Sequence, residues 1–458
     1  MSLSETAAAI GGRVHGADVR FDSVSSDSRT LARGALFVAL RGERFDGHEF
    51  IGAAAGRGAA AAMVDQRSAS GTRDSVLPFL VVEDTRLALG QVAAHWRRRF
   101  DVPLIAVTGS NGKTTVKEMI AAILRAQHGE AHALATEGNL NNDIGLPLTL
   151  LKLRQAHRAA VVELGVNHPG ETQYLAKIAA PTVALINNAQ REHQEFMKSV
   201  ADVAREHGAV IAALPAHGVA VINADDEFAD YWRGLAAGRQ VRDFGIDRPA
   251  QVSGRHAVTG FGSEIELRAP EGGTRIELHI EGRHNIRNAL AAAAAATAAG
   301  AGLDAVARGL ASFRALRGRL QKKITLSGAV VIDDSYNANP DSVRAAIDVL
   351  AAASGTKLLV LGDMGEVGER GAEFHEEAGR YARGRGIDRV LAVGELSRAA
   401  VAAFGEGALH FASIDQLISV LQSELRPQAT ALVKGSRFMR MERVVDALCG
   451  ADAGEGKH

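Results

Sequence analysis

The 458-residue sequence lacks the features that mark secreted, membrane-spanning or nucleic-acid-binding proteins. Its single cysteine, Cys449, excludes a framework of internal disulfides and is typical of a reducing compartment. The net charge is −1, so no long-range field attracts nucleic acid or a membrane surface. No apolar run approaches the roughly 20 residues that span a bilayer, and no basic stretch precedes an apolar core near the N-terminus. We therefore expect a soluble cytoplasmic protein, and nothing demands more than a monomer.

Strand-like apolar runs alternate with helical patterns, which predicts an α/β fold, and the length favours two to four domains. We predict three α/β domains with these bounds: residues 1–84, 85–317 and 318–458. A period-two pattern between about 250 and 280 predicts a small antiparallel meander, which an Ala-rich helix beginning near Asn285 follows. After Gly318, strands and helices repeat as a βαβ series, which predicts a parallel, Rossmann-like sheet. The tail "ADAGEGKH" (451–458) is expected to be disordered.

The segment "LIAVTGSNGKTTVKEM" (104–119) has the pattern of a phosphate loop between a strand and a helix. It is shorter than the usual G-x-x-x-x-G-K-[ST], because only two residues separate its glycines. Glycines let backbone N–H groups turn toward oxyanions, and the helix N-terminus adds partial positive charge. The predicted ATP-binding residues of the loop are Gly109, Ser110, Asn111, Gly112, Lys113, Thr114 and Thr115. Lys113 is expected to reach the β- and γ-phosphates and Thr114 to bind Mg²⁺; the alternative is an ordinary strand–turn–helix with a surface lysine.

The loop alone fits a kinase, a switch or an ATP-driven ligase, and further segments decide between them. The sequence resembles the Mur ligases, which add amino acids to the peptidoglycan precursor, in these segments: "VTGSNGKTT" (107–115), "GALFVALRGERFDGHEF" (34–50), "GNLNNDIG" (138–145), "GRHNIRNALAAAAA" (282–295), "DDSYNANPDS" (333–342) and "VKGSR" (433–437). The resemblance covers nearly the whole chain. It implies an N-terminal UDP-substrate domain, a central P-loop ATPase-type domain and a C-terminal Rossmann-like domain.

Within that family, "DDSYNANP" together with "GNLNNDIG" resembles the branch that adds a dipeptide. The resemblance implies a ligase that uses ATP and Mg²⁺ and joins D-alanyl-D-alanine to UDP-N-acetylmuramoyl-tripeptide through an acyl phosphate. The alternatives are another Mur ligase, a folylpolyglutamate synthase, or a P-loop binding module without ligase chemistry. The D-N-P-R motif of the diaminopimelate-adding relatives does not occur in this sequence.

A carboxylate that attacks a phosphoryl group brings two anions together, so catalysis requires neutralisation of charge and alignment. We predict Lys113, Glu163 and His193 as catalytic residues, and Thr114, Glu163 and His193 as metal ligands. Glu163 ends an apolar strand near the loop, where a carboxylate can bind Mg²⁺; the alternative is a solvated residue at a strand end. The metal-binding role of His193 is implied by the resemblance.

One position departs from the family pattern. Many Mur ligases carry a lysine about fourteen residues after the metal-binding histidine, and its carbamate supports a second Mg²⁺. Here that place holds His207, and the usual "AHLEGF" is replaced by "EHQEFM". Our hypothesis is that His207, or water held by its neighbours, replaces the carbamate.

Further ATP contacts are predicted around the Ala-rich helix and the start of the third block. Asn285 and Asn288 share one helix face, where their amides match the edges of adenine, although Asn285 is alternatively a helix cap. Arg319 is placed to reach phosphate and Asp334 to accept from ribose hydroxyls. Asp333 is alternatively only a turn residue.

Substrate contacts are predicted in all three blocks. The resemblance implies that Ser28, Arg29, Arg44, Asp46 and His48 recognise the UDP end, and the alternative is a plain polar loop. Lys434, Ser436 and Arg437 follow an apolar strand, where open α/β sheets place ligands, and are expected to bind the dipeptide carboxylate or the phosphate. The other predicted substrate residues are Asn141, Asn142, Tyr336, Asn337 and Asn339. We expect the third block to close over ATP about a hinge near Gly318.

Overall fold

The computed structural model describes residues 1–68, 77–259 and 262–450, so the tail predicted at 451–458 lies outside the described residues. The first sheet comprises β1 (Arg13–His15), β2 (Val24–Ser25), β3 (Leu36–Val38), β4 (Ala61–Asp65) and β5 (Phe79–Val82), flanked by α1 (Leu3–Ile10) and α2 (Ile51–Gly56). Its strand order is β1-β5-β4-β3-β2, with β1 antiparallel to β5 and the other pairs parallel. Helix α1 begins at a capping box, in which the Ser2 hydroxyl accepts from the Glu5 N–H and the Glu5 carboxylate accepts from the Ser2 N–H.

The central sheet is parallel throughout, with strand order β11-β10-β9-β6-β8-β7. Its strands are β6 (Leu104–Thr108), β7 (Ala133–Ala135), β8 (Ala159–Glu163), β9 (Val183–Ile186), β10 (Val219–Asn223) and β11 (Gln240–Phe244). The helices of this region are α3 (Thr85–Arg97), α4 (Lys113–His128), α5 (Gly145–Leu150), α6 (Glu171–Ala179), α7 (Val200–Ala212) and α8 (Ala229–Leu235). Strands β6 and β8 are neighbours, so the phosphate loop and Glu163 emerge at the same edge of the sheet.

The predicted meander is confirmed as a three-stranded antiparallel sheet: β12 (Ser253–Thr259), β13 (Gly262–Ala269) and β14 (Gly272–Leu278). The Ala-rich helix α9 (Arg283–Ala298) and helix α10 (Leu303–Ser312) follow. Helix α9 is buried along nearly all of its length from Ile286 onward, because its alanines allow the surrounding strands and helices to approach closely.

The third region holds a six-stranded sheet of order β15-β16-β20-β17-β18-β19. Its strands are β15 (Gln321–Ile324), β16 (Val330–Asp334), β17 (Thr356–Gly362), β18 (Arg389–Val393), β19 (Ala408–Phe411) and β20 (Ala429–Lys434). Its helices are α11 (Pro340–Ala351), α12 (Gly371–Gly384), α13 (Ser397–Phe404), α14 (Ile414–Glu424) and α15 (Glu442–Cys449). The predicted parallel arrangement is confirmed for β16 to β20. Strand β15 was not predicted, and it pairs antiparallel with β16 across a tight turn closed by Thr325 and Ala329.

The hydrophobic cores differ in how they join the three regions. One continuous core includes Leu36 of the first sheet, Leu89 of α3 and Leu104 of the central sheet. The third sheet instead has its own apolar cores on its two faces, around Leu361 and Val360. The first two regions are therefore packed together, whereas the third meets the central region across a polar cleft. The domain bounds 1–84, 85–317 and 318–458 stay a prediction.

Among the helices of residues 1–68, 77–259 and 262–450, none is both long enough and apolar enough to cross a bilayer.

Candidate active site

A cavity of about 1030 Å³ lies between the central sheet and the third region. The predicted site residues that line it are Ser110, Asn111, Gly112, Lys113, Thr114, Thr115, Asn141, Asn142, Glu163, His193, Asn285, Asn288, Arg319, Asp334, Tyr336, Asn337, Asn339, Lys434, Ser436 and Arg437. Residues separated by more than 300 positions in the sequence therefore face one volume, which is large enough for a nucleotide and part of a second substrate.

The phosphate loop connects β6 directly to the N-terminus of α4. Gly112 occupies the N-cap with φ 81°, in the left-handed region, and no side chain caps the helix. A Cβ at Gly112 would lie 2.7 Å from the Asn288 side-chain oxygen, so a larger residue does not fit here. The Asn111 N–H donates to the Asn188 side chain at 2.8 Å, which fixes the turn. The helix N-terminus is thereby directed into the cavity, in the arrangement that favours anions.

The Lys113 side chain is folded back over the phosphate loop. Its ammonium donates to the Gly109 carbonyl at 2.5 Å and to the Ser110 carbonyl at 3.1 Å. It also lies 3.4 Å from Glu192 Oε2. The ammonium is thus held at the loop that cradles phosphate oxyanions in proteins of this type.

Glu163 has the properties expected of a ligand for a hard cation. It is 2% exposed, and its Oε1 accepts from the Thr114 hydroxyl at 3.3 Å and from the Asn141 amide at 2.7 Å. Its Oε2 is buried and has no hydrogen-bond partner. A buried carboxylate oxygen without a partner is costly, and a Mg²⁺ ion, which prefers oxygen ligands, would satisfy it. The oxygens of Thr114 and Glu163 therefore fit the implied ion.

The predicted third metal ligand, His193, makes different contacts. Its Nδ1 contacts the Glu366 carboxylate of the third region, and its Nε2 lies 3.7 Å from Glu192 Oε2. Across residues 1–68, 77–259 and 262–450, no three His, Cys, Asp or Glu side chains are grouped so that they could hold a metal. The backbone of His193 is left-handed (φ 47°), a strained conformation typical of functional sites. Its role as a metal ligand stays a prediction.

Sequence reasoning missed Glu192, the residue before His193. It is 5% exposed, and its Oε1 lies 2.8 Å from Nε2 of the fully buried His207. Burial alone would raise the pKa of Glu192, but the charge of Lys113 and the hydrogen bond from His207 lower it to about 2. The signal that could have identified it is the altered motif "EHQEFM", whose first residue is Glu192 where the usual "AHLEGF" has alanine. The structure places His207 behind Glu192, so the hypothesis that His207 itself replaces the carbamate stays a prediction.

Asn285 and Asn288 form a buried chain of amides with Asn187. The Asn187 amide donates to Asn288, and the Asn288 amide donates to Asn285, each at 3.0 Å. Asn285 in turn donates to the carbonyl of Glu281 at 2.7 Å. The alternative in which Asn285 caps the helix is wrong, because Gly282 occupies the N-cap of α9. Their contact with adenine stays a prediction.

The third region contributes cationic side chains to the cavity. The Lys434 ammonium donates to the Asp334 carboxylate at 2.6 Å and to the Asn337 carbonyl at 2.9 Å. The Arg319 guanidinium stacks over the Tyr336 ring at 4.1 Å from its centroid and lies 3.5 Å from the Thr114 hydroxyl. Arg319 therefore reaches across the cleft to the phosphate loop.

The neighbouring predicted residues have local partners as well. The Ser436 hydroxyl donates to the Asp363 carbonyl at 2.6 Å, and the exposed Arg437 pairs with Glu442 at 2.8 Å. Asp333 lies within β16, and its carboxylate accepts hydrogen bonds from the N–H groups of Gly318 and Ser335, which fixes the chain just after the strand.

Two contacts between the central and third regions were not anticipated. The Arg191 guanidinium donates to the Asp341 carboxylate at 2.6 Å and to the Glu377 carboxylate at 2.7 Å. Asn111 and Asn339 exchange amide hydrogen bonds at 2.9 and 3.3 Å. These contacts tie the phosphate loop and the segment after it to the N-terminus of α11.

The residues predicted in the first block do not border this cavity: Ser28, Arg29, Arg44, Asp46 and His48. Arg29 and Arg44 are exposed, and Arg29 pairs with Asp27 at 2.8 Å. His48 Nδ1 lies 2.6 Å from Asp46 Oδ1, so these two side chains contact each other. The predicted contacts with the UDP end stay predictions.

A phosphate loop on a parallel sheet, with cations from a second α/β layer facing it, defines an ATP-binding enzyme that works between domains. Three family models match the chain: "Mur ligase family, catalytic domain" over residues 20–97, "Mur ligase middle domain" over 107–296, and "Mur ligase, glutamate ligase domain" over 318–437. The chain therefore belongs to the Mur ligase family, and the resemblance seen in the sequence is confirmed.

Similar proteins cover the chain almost completely. It is 44% identical over 98% of both chains to the UDP-N-acetylmuramoyl-tripeptide–D-alanyl-D-alanine ligase of Escherichia coli (strain K12). A crystal structure of MurF from Acinetobacter baumannii superimposes with TM-score 0.89 at 35% identity, over 98% of this chain and 99% of that one. The MurF ligase of Thermotoga maritima in complex with ADP gives TM-score 0.80 at 26% identity, over 93% and 96% of the two chains.

Proposed function

We propose that the chain is an ATP-dependent ligase that joins D-alanyl-D-alanine to UDP-N-acetylmuramoyl-tripeptide. The products are UDP-N-acetylmuramoyl-pentapeptide, ADP and phosphate, in cytoplasmic peptidoglycan synthesis. Similarity over 98% of the chain to a ligase of that name supports the assignment. The observation that carries the chemistry is that Lys113, Glu163 and Arg319 line one shared cavity between the central sheet and the third region.

The first step is phosphorylation of the tripeptide carboxylate. A carboxylate oxygen attacks the γ-phosphorus of ATP, the bond to the β–γ bridging oxygen breaks, and ADP leaves as the acyl phosphate forms. Lys113 and the N-terminus of α4 neutralise charge on the phosphates, and Arg319 adds a cation from the third region. Thr114 and Glu163 would hold a Mg²⁺ ion, which when bound neutralises the oxyanions further.

The second step is attack of the dipeptide amine on the acyl carbon, which expels phosphate. Lys434, Ser436 and Arg437 border the same cavity and provide cationic and hydroxyl groups for the dipeptide carboxylate or the transferred phosphate. Tyr336, Asn337 and Asn339 line the wall beside them and orient the dipeptide. Positioning of the amine against an already activated carbonyl accounts for much of the rate in such reactions.

Water must be kept from the acyl phosphate, and the third region serves as the cover. Arg191 and Asn111 join it to the central region, and Gly318 (φ 71°) lies at the connection. We assign Gly318 as the hinge, with domain bounds at 84/85 and 317/318. The UDP end is assigned to the first domain through Ser28, Arg29, Arg44, Asp46 and His48, and the enzyme is assigned as a monomer.

Mass spectrometry of the product tests the assignment. The purified protein, incubated with ATP, Mg²⁺, UDP-tripeptide and D-alanyl-D-alanine, is expected to give the pentapeptide and one ADP for each bond. A sister ligase would prefer a single amino acid over the dipeptide, and a binding module would give no product. Either result would refute the proposal.

A further inference from the structure

A buried chain of side chains leads from the central sheet to the phosphate loop. The Thr108 hydroxyl, at the end of β6, lies 2.8 Å from His207 Nδ1. On its other side, His207 Nε2 lies 2.8 Å from Glu192 Oε1. The second oxygen, Glu192 Oε2, lies 3.4 Å from Lys113 Nζ and 3.7 Å from His193 Nε2. The two carboxylate oxygens therefore have separate partners, one in the core and one beside the cavity.

We propose that Glu192 is a positioning residue, which His207 clamps through Oε1 so that Oε2 holds the Lys113 ammonium at the phosphate loop. A lysine side chain has many rotamers, and an anchored carboxylate restricts them before the substrate arrives. The proposal rests on the proposed function, because the reaction served is the phosphoryl transfer assigned to this loop. One direction in the clamp is defined: an ionised carboxylate only accepts, so His207 Nε2 donates to Glu192.

The hydrogen-bond partners of Glu192 differ from those of a carboxylate that only fixes the backbone of a loop. Asp226 is such a carboxylate: its oxygens accept the backbone N–H groups of Ala189 and Phe228, each at 2.9 Å. Glu192 instead contacts the side chains of His207 and Lys113, and it borders the cavity. If this position only filled space, an apolar residue would stabilise the fold more, because burial of a charge carries a large desolvation free energy.

Kinetics of Glu192→Gln test the proposal, since glutamine keeps the shape of the side chain and removes its charge. We expect kcat to fall about 10- to 100-fold, the range typical for loss of a residue that orients a site. KM for ATP is expected to change much less, because the loop backbone and the N-terminus of α4 are untouched. Glu118→Gln is the matched control: Glu118 also pairs with a lysine, Lys117, but it lies outside the cavity. The proposal is overturned if Glu192→Gln stays within twofold of the parent kcat, or if Glu118→Gln loses as much.

A double-mutant cycle tests whether His207 acts through Glu192. His207→Leu keeps much of the volume and removes both hydrogen bonds, and we expect it also to lower kcat. Combined with Glu192→Gln, it is expected to add little, whereas losses that multiply would show independent roles and overturn the clamp. Thermal unfolding identifies variants that fail to fold, and the Glu192→Gln result then decides alone. If the parent enzyme makes no pentapeptide, the proposed function itself is refuted. If Glu192→Gln keeps the parent rate, only the clamp is refuted and the proposed function stands.

Discussion

Two polar clusters of the molecule contain residues that the sequence assigned to ligand binding, and they differ in how their charges are paired. The N-terminal cluster comprises Arg41, Asp46, His48 and Asp65, and its members pair with one another. Arg41 contacts both carboxylates, and His48 contacts Asp46 and accepts from the Asp65 N–H at 3.1 Å. In the described part of the chain, no side-chain atom of this cluster is both buried and without a hydrogen-bond partner.

The loop cluster, defined as Lys113, Thr114, Glu163, Glu192 and His193, is less complete. Glu163 has a buried carboxylate oxygen without a hydrogen-bond partner. The Lys113 ammonium donates two hydrogen bonds to backbone carbonyls of its own loop. A cluster whose groups satisfy one another stabilises a fold, whereas an incomplete one is prepared for a ligand. The comparison favours phosphoryl-transfer chemistry at the loop cluster. In the N-terminal cluster the pairs hold Asp46 and His48, which are assigned to the UDP end, and take no part in that chemistry.

Replacement of Lys113 gives the largest effect that the comparison predicts. Lys113→Ala removes the ammonium that faces the phosphates, and loss of one such electrostatic group costs about 10²–10³-fold in kcat. Pentapeptide formation measured by mass spectrometry checks this result. Lys152→Ala is the control, because Lys152 is exposed, lies outside the cavity and pairs with Glu137 at 2.7 Å. If the kcat of Lys113→Ala stays within a few-fold of the parent value, the loop cluster is no more important for catalysis than the N-terminal cluster.

Arg191→Ala is expected to have an intermediate effect on kcat. It removes a contact between the central and third regions but leaves the side chains of the loop cluster in place. Arg191 binds Asp341 and Glu377 across the cleft, and these groups are partly exposed, so the contact is worth only about 1 kcal/mol. We expect kcat to fall about tenfold and hydrolysis of ATP without ligation to rise. Small-angle scattering with nucleotide and UDP-substrate provides the second measurement. An unchanged product yield for each ATP would contradict closure by this pair.

Much of this architecture follows from the sequence, because its strongest signals are local. Strand, glycine turn and lysine at 104–113 predict the phosphate loop, and the period-two segment predicts the meander. Strand β15 was missed because "QKKI" carries no apolar run, and only its pairing with β16 makes it a strand.

Site residues could be predicted from the sequence only where they belong to a recognisable motif or stand at the end of a predicted strand. Glu163 stands at the end of a buried strand, and its position in the sheet follows from that. Glu192 and Arg191 lie in an irregular segment between β9 and α7, where nothing in the sequence sets the direction of a side chain. Their partners are 79 and 150 residues away, at Lys113 and Asp341, and such pairings arise only from the tertiary fold.

The N-terminal cluster is expected to affect stability rather than turnover. The pKa of Asp65 is held at about 2: burial would raise it, and the hydrogen bond from Arg41 more than offsets that effect. A depressed pKa adds stability that is complete above about pH 4 and is lost as the pH falls toward 2. Asp65→Asn is therefore expected to lower the free energy of unfolding by about 1 kcal/mol at pH 7 and by less near pH 2. Urea unfolding at both pH values measures this difference, and kcat is expected to stay within twofold. A fall in kcat well beyond twofold, or an unchanged free energy of unfolding at pH 7, would contradict this prediction.

The smallest expected effect is that of removing carbon dioxide from the assay. This test concerns the lysine that the family resemblance expects beside the loop cluster and that this chain lacks. A carbamate forms only on an amine, and the place where the family resemblance expects a lysine holds the imidazole of His207, buried behind Glu192. The nearest lysine in that segment, Lys198, is exposed and precedes α7. Glu192 already provides a carboxylate that is attached to the chain, so activity in buffer freed of CO₂ is expected to equal that in bicarbonate within twofold. A reversible loss of activity on depletion, restored by bicarbonate, would show that an amine of the protein takes up CO₂. It would contradict the hypothesis that His207, or water held by its neighbours, replaces the carbamate.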